Sequence, residues 1–274
     1  MTHPHIRWTF DPAIIAWLLA LTVLYTWRFR DARRESRGRG AGWPQALAFA
    51  GAILVLFAAL VSPLDALGED YLFSAHMVQH ILIGDIAPIL LLLSLSRVIM
   101  RPATRRLMNV ERRLGPLANP VAFIAVWFLL LYLWHIPALY DAALRHSNVH
   151  ALEHICFLIG GTFVWWPLIQ PVPMRHKLTG LGTFAYIAAA KLGLAALGLY
   201  LTWSHTLAYD YYAHVPRIWG LSPIEDQNVG GAIMMVEQSI VLVSAFCILF
   251  VRMLLQSEEE QRRRERLEDA ATAA

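Results

Sequence analysis

The sequence predicts an all-α polytopic membrane protein, a bundle of seven transmembrane helices with the N-terminus outside and the C-terminus cytoplasmic. Composition is the first reason. With 57% hydrophobic and 16% charged residues over 274 positions, and a mean hydropathy of +0.48, the chain carries too few charges to solvate a globule of this size. Apolar runs are the second reason. Runs long enough to cross a hydrocarbon core fall at about 12–28, 43–61, 71–96, 120–139, 149–170, 180–203 and 229–254. The third is the distribution of basic residues, 19 of 23 of which fall on one side of these runs. By the positive-inside rule that side is cytoplasmic. One transmembrane domain then covers 1–255, and 256–274 is a charged cytoplasmic tail.

The first run, Ile14 to Trp27, has only Arg7 ahead of it, no clear small-x-small cleavage site, and Arg28, Arg30, Arg33, Arg34, Arg37 and Arg39 behind it. That is a stop-transfer arrangement, so the run reads as a retained helix rather than a signal peptide. The third run is followed by Arg97, Arg101, Arg105, Arg106, Arg112 and Arg113 in a basic amphipathic stretch, 97–119, suited to lie on anionic lipid headgroups. Arg175 and Lys177 follow the fifth run, and Arg252, Arg262, Arg263, Arg264 and Arg266 follow the seventh. Against these stand Arg7, Arg145 and Arg217 on the outer side and Lys191 within the sixth run. In the tail, Glu258 to Glu260 precede Arg262 to Arg264, a pattern that fits a solvated helical extension.

Several chemistries are excluded. The formal charge of +3 and pI near 9.0 do not imply nucleic acid, because the arginines border apolar segments and set topology. Cys156 and Cys247 lie in separate runs without a CxxC pair, which argues against a disulfide framework and a thiolate zinc site. There is no Gly-rich phosphate loop and no Ser/His/Asp arrangement, and no enzymatic activity is expected.

The histidines carry the chemistry. Ten of the eleven fall on or near the outer side, leaving only His176 for the cytoplasm. His76 and His80 are one helical turn apart at the head of the third run, and His150 and His154 repeat the spacing at the head of the fifth. Each pair projects from one helix face and can hold one ion between its rings. His135 closes the fourth run at Trp134-His135-Ile136-Pro137, so five imidazoles are expected in one layer. The bland alternative is that they bond loop backbone and one another. Buried histidines in lipid otherwise point to metal or haem ligation. Imidazole suits copper, zinc and iron, and the thioethers of Met77, Met234 and Met235 add softness that retains Cu(I), so copper is the expected ion. Ordinary core packing is the competing reading of each methionine. Glu153, three residues past His150, is expected either to orient a ligand imidazole from behind or simply to accept a hydrogen bond from the loop. Haem ranks second, because bis-histidine haem takes one ligand from each of two helices.

Three charges fall near the middle of apolar runs: Asp85, Lys191 and Glu237. Lone charges at that depth are costly, so a carboxylate is expected to pair with Lys191, with Glu237 favoured over Asp85. Asp85 lies about 180° round an α-helix from His76 and is expected off the histidine face.

With these residues in place, the chain resembles the seven-helix assembly-factor family of the caa3-type cytochrome c oxidase (Caa3/CtaG). The resemblance rests on His76-Met77-Val78-Gln79-His80 followed by Ala87-Pro88, on Trp134-His135-Ile136-Pro137-Ala138-Leu139-Tyr140, on His150-Ala151-Leu152-Glu153-His154 running to Trp165-Trp166-Pro167, and on Asp226-Gln227-Asn228-Val229-Gly230-Gly231-Ala232-Ile233-Met234. Asp226 joins Met77, Glu153, Met234 and Met235 as a secondary site candidate. The resemblance implies a protein of the bacterial plasma (inner) membrane that helps mature haem-copper oxidase at its copper centres. Its partners would be the oxidase subunits carrying those centres and a periplasmic copper chaperone. Copper or proton transport, favoured by the intramembrane charges, and haem-based redox activity are the competing functions.

Overall fold

The computed structural model describes residues 7–272, apart from the side chains of Lys191, Leu267 and Thr272. His3 and His5, expected on the outer side, lie outside the described residues. The chain is all-helical, with no strand among the described residues. Its helices are α1 (Pro12–Ser36), α2 (Trp43–Leu60), α3 (Pro63–Asp70), α4 (Phe73–Ile81), α5 (Ala87–Ser94), α6 (Arg101–Leu114), α7 (Pro120–Trp134), α8 (Pro137–Arg145), α9 (Ser147–Ile169), α10 (Leu181–Trp203) and α11 (Pro223–Thr272). Six spans are long and apolar enough to cross a membrane, Phe73–Ser94 counting as one, and the total reaches seven if the pair α6 and α7, bent by 81°, forms a further span.

Helix starts are fixed by local chemistry. The Asp11 carboxylate accepts from the Ala13 and Ile14 amides, with Pro12 at the first helical position. Asn119 does the same for α7, accepting from the Ala122 amide at 2.8 Å. Ser222 and Glu225 form a reciprocal capping box, Ser222 N donating to Glu225 Oε2 and Glu225 N to Ser222 Oγ. That box starts the last helix at Pro223, six residues ahead of the expected 229, and the helix runs unbroken through the charged tail.

Two further boundaries differ from expectation. The run 120–139 is not one helix. α7 stops at Trp134, and Pro137 opens a separate α8, because a proline has no amide to continue the ladder and its ring disfavours helical backbone at Ile136. The segment 62–70, expected as a loop, forms α3, capped by Ser62 and supplying Asp65 and Glu69 to the interior.

The third span is interrupted at Leu82–Ile86, where the backbone is π-helical. The extra residue per turn rotates α5 relative to α4. α9 lies close against this turn. A Cβ on Gly161 would sit 1.8 Å from the Gly84 carbonyl oxygen, so glycine is required there. α11 packs along α10 and against α4, and α7 against α9. Most of the buried apolar side chains form one core, with Leu56, Phe73, Met77, Ile83, Phe157 and Leu201 almost wholly enclosed. α1 contributes little to it and exposes Leu19, Val23, Leu24 and Trp27, a surface suited to lipid.

Gly161→Ala should push α9 off the π-helical turn. A loss of about 1–3 kcal/mol in stability is expected for such overpacking. The check is thermal unfolding in detergent, with Gly182→Ala, where a Cβ meets nothing within 4 Å, as the control that leaves the midpoint unchanged.

Candidate metal centre

α4 and α9 each carry a histidine pair one turn apart, His76 and His80 along the short α4 and His150 and His154 in the opening turns of α9. The one-turn spacing inside each helix and the close approach between them assemble four imidazoles. Ligand-capable atoms of His76, His80, His150 and His154 all lie within 4.8 Å of one another. His76, His80 and His150 are buried and His154 is half-buried. The ring centroids of each pair are 4.1 Å apart, and His76 to His150 is 5.2 Å.

Their free nitrogens point to a ligand. His76 Nε2 and His80 Nε2 share a hydrogen bond at 2.6 Å. His150 Nδ1 meets Glu69 Oε1 at 2.6 Å, a carboxylate contact that holds the proton on Nδ1 and leaves Nε2 as a lone pair. The Nε2 atoms of His150 and His154 are buried and have no hydrogen-bond partner among the described residues. Buried polar atoms are rarely left so. Tetrahedral donors at about 2.1 Å from an ion stand about 3.4 Å apart, so the set needs only a small contraction, plus separation of the His76–His80 pair. The residues fit a bound metal ion.

Glu153 departs from its expected role. It was expected to support an imidazole from behind, but its carboxylate faces the cluster, with Oε1 3.6 Å from His80 Nε2 and Oε2 3.9 Å from His76 Nε2. The residue is fully buried, and both oxygens lack a hydrogen-bond partner among the described residues. The outward-supporting role falls to Glu69, which sequence reasoning missed. Its only signal was an acidic residue seven positions before His76 in a short outer segment.

His135 stands apart from the four. Its ring lies 6.4 Å from that of His80, its Nδ1 bonds the Leu131 carbonyl at 2.7 Å, and its buried Nε2 has no partner among the described residues. It lines a narrow cavity of about 30 Å³ on the far side of His80, room for one or two waters. Met77, Met234, Asp85, Glu237 and Gln238 line the same cavity. Asp85, expected off the histidine face, is not part of the four-imidazole set, and it lines this cavity together with His80 and His135. The Asp85 carboxylate accepts from Trp165 Nε1, and from Gln238 Nε2 at 2.7 Å. The Lys191 side chain lies outside the described residues, and with it the expected pairing to Glu237.

The remaining candidates are structural. Asp226 Oδ2 accepts from the Phe73 amide at 2.7 Å, and Oδ1 from the Ser74 amide and hydroxyl at 3.1 and 2.6 Å. It therefore caps α4 from α11. Met235 turns toward α10, its sulfur 3.8 Å from the Thr202 hydroxyl. Gln79, between the two histidines of α4, donates to the Ala59 carbonyl and to Asp65 Oδ1, tying α4 to α2 and α3. Above the cluster Tyr140 stacks on Tyr209 at 3.9 Å, and Tyr140 lies 5.4 Å from His76. Burial holds the phenols of Tyr140, Tyr209 and Tyr212 above their ordinary value, so this roof stays uncharged.

The fold and this site define a polytopic helical protein built around a buried histidine centre. Over residues 23–256 the chain matches the family described as cytochrome c oxidase caa3 assembly factor, and it belongs to that family. It is 27% identical over 243 residues to uncharacterized proteins of Mycobacterium bovis and Mycobacterium tuberculosis, and 26% identical over 250 residues to one of Mycobacterium leprae. Each match covers 82% of this chain and only 36% of the relative's length. No solved structure matches the chain.

Asp226→Ala should cost about 1–2 kcal/mol in stability, as loss of a helix cap does, without removing a donor from the histidine cluster. Thermal unfolding and metal content measured on the same preparation separate the two roles. A full loss of metal with an unchanged unfolding midpoint would make Asp226 a ligand.

Proposed function

We propose that the protein serves the maturation of haem-copper cytochrome c oxidase by holding copper at His76, His80, His150 and His154 and passing it to oxidase subunits that carry copper centres. The observation that carries this reading is the convergence of four imidazoles, each with one buried nitrogen that has no protein partner among the described residues. Copper is cargo here rather than a catalytic cofactor, and the role is non-catalytic. The basic residues support an N-terminus outside and a C-terminus in the cytoplasm of a bacterial inner membrane, which turns the site toward the periplasm, where a copper chaperone can load it. Haem ranks second as a ligand. A porphyrin needs a slot between facing imidazoles, whereas Phe157 lies 4.5 Å from His80 and Tyr140 5.4 Å from His76.

A second reading, transport of protons or a cation, draws on the cavity that continues from His80 to Asp85, Glu237 and Gln238. Translocation needs sites beyond the outer vestibule, and these residues supply one further step. Asp85→Asn separates the readings: assembly alone tolerates it, whereas transport into proteoliposomes stops.

The His76→Ala/His80→Ala variant should lose metal retention by about tenfold or more, as expected when a buried donor pair is removed, and host oxidase activity should fall while the protein remains inserted. Full metal content with normal oxidase would leave the histidines a structural cluster. Reporter fusions after Arg39 and Arg113 should read cytoplasmic, and fusions near Asp65 and His214 exterior. Opposite readings from Asp65 and His214 would break the seven-span topology.

A further inference from the structure

Two carboxylates touch the imidazole cluster, in different ways. Glu69 is a third exposed and bonds the outward nitrogen of His150. Glu153 is enclosed, faces the inner nitrogens of His76 and His80, and its oxygens have no hydrogen-bond partner among the described residues. A carboxylate in that position fits a direct ligand far better than a support, because a supporting carboxylate accepts from the imidazole nitrogen that faces away from the ion.

From this geometry we infer that Glu153 is itself a metal ligand, and that the site takes a divalent cation of the Cu(II) or Zn(II) class in preference to Cu(I). The inference rests on the metal reading of the histidines and specifies which ion they receive. Four neutral imidazoles bring no charge. Glu153 is the enclosed carboxylate and Glu69, a third exposed, is screened by solvent, so donor type rather than charge balance selects the ion. Carboxylate oxygen and imidazole nitrogen suit borderline dications, and Cu(I) selects thiolate and thioether. Met77 and Met234, the nearby thioethers, line the lower cavity instead. The expectation that methionine tunes the site for Cu(I) gives way to a nitrogen and oxygen set.

The test uses the full chain in detergent, wild type beside Glu153→Gln and Glu153→Asp, titrated with Cu(II), with Zn(II), and with Cu(I) under reductant against a chromogenic competitor. Wild type should hold Cu(II) and Zn(II) more tightly than Cu(I) relative to the competitors. Glu153→Gln, nearly isosteric, should weaken both dications at least tenfold and Cu(I) less than threefold, and Glu153→Asp should recover part of the loss. Paramagnetic resonance of the Cu(II) form gives a readout independent of affinity. Nitrogen hyperfine lines from the imidazoles should persist in Glu153→Gln while the copper hyperfine splitting changes. Unchanged dication affinity and an unchanged spectrum in that variant, or tighter Cu(I) binding by wild type, would overturn the inference. The His76→Ala/His80→Ala variant distinguishes the two levels: if it retains metal, the histidine reading itself fails, and if it alone loses metal, only the role of Glu153 does.

Discussion

The site depends on how closely α9 can approach the π-helical turn that follows α4. α4 ends one residue after His80, and the contact that sets the spacing of the chain beyond it from α9 is the Gly161 Cα against the carbonyl of Gly84. Any side chain at 161 would move the helix axes apart. The imidazoles lie a turn or more from that contact, so they inherit the spacing it imposes. The π-helical turn at Leu82–Ile86 is part of the same arrangement, since Gly84 lies within it. Such turns commonly occur at functional sites because they redirect side chains without ending the helix. Here the redirected residue is Asp85.

A second constraint fixes α4 from the other side. The opening turn of α11 uses three consecutive polar residues on three different elements. Asp226 caps α4, Gln227 accepts from the Ala208 amide and donates to the Thr206 carbonyl, and Asn228 donates to the Leu201 and Ser204 carbonyls at the end of α10. Orphan backbone groups at helix ends, costly when buried, are thereby satisfied by one short segment. It also orients the turn that carries His76. Gly230 and Gly231 come next, and a Cβ on either would collide, with Phe73 in one case and with Thr202 in the other. The segment from Asp226 to Gly231 is thus a clamp between α4, α10 and the connection after α10.

Much of this was legible from residue order. Runs of apolar residues mark the helices, and the i,i+4 spacing places each histidine pair on one face, because both depend on local periodicity alone. The convergence of the two pairs was an inference from shared sidedness, and the geometry agrees with it. What escaped the sequence depended on contacts between distant residues. Asp226 looks like any acidic residue near a helix start until α4 lies beneath it, 152 positions away in sequence. Glu69 belongs to a short helix hidden in what reads as a loop. The π-helical turn that carries Asp85 has no periodicity signal of its own, since the apolar run continues through it. Glu153 is part of the site, as its place beside His150 suggests, but side-chain direction, which decides between ligand and support, is not written in spacing.

The 2.6 Å contact between His76 and His80 bears on how the centre changes when loaded. One ring must donate its Nε2 proton to the other, so neither nitrogen is then available to an ion. An ion held through both Nε2 atoms would require that bond to open, the proton passing to the same ring's Nδ1, which has no partner among the described residues, and the two rings to part to about 3.4 Å. Glu153 is the carboxylate that faces both nitrogens. The cavity lined by His80, His135 and Asp85 lies on the opposite side of His80, and it gives that ring room to shift without moving the helices. Backbone held by the Gly84–Gly161 contact and by the Asp226 cap then stays in place while side chains exchange a hydrogen bond for a ligand bond. The empty cluster is only partly satisfied: the His76–His80 bond stands, while His150 Nε2, His154 Nε2 and both Glu153 oxygens lack hydrogen-bond partners among the described residues, and it is these atoms that favour occupancy.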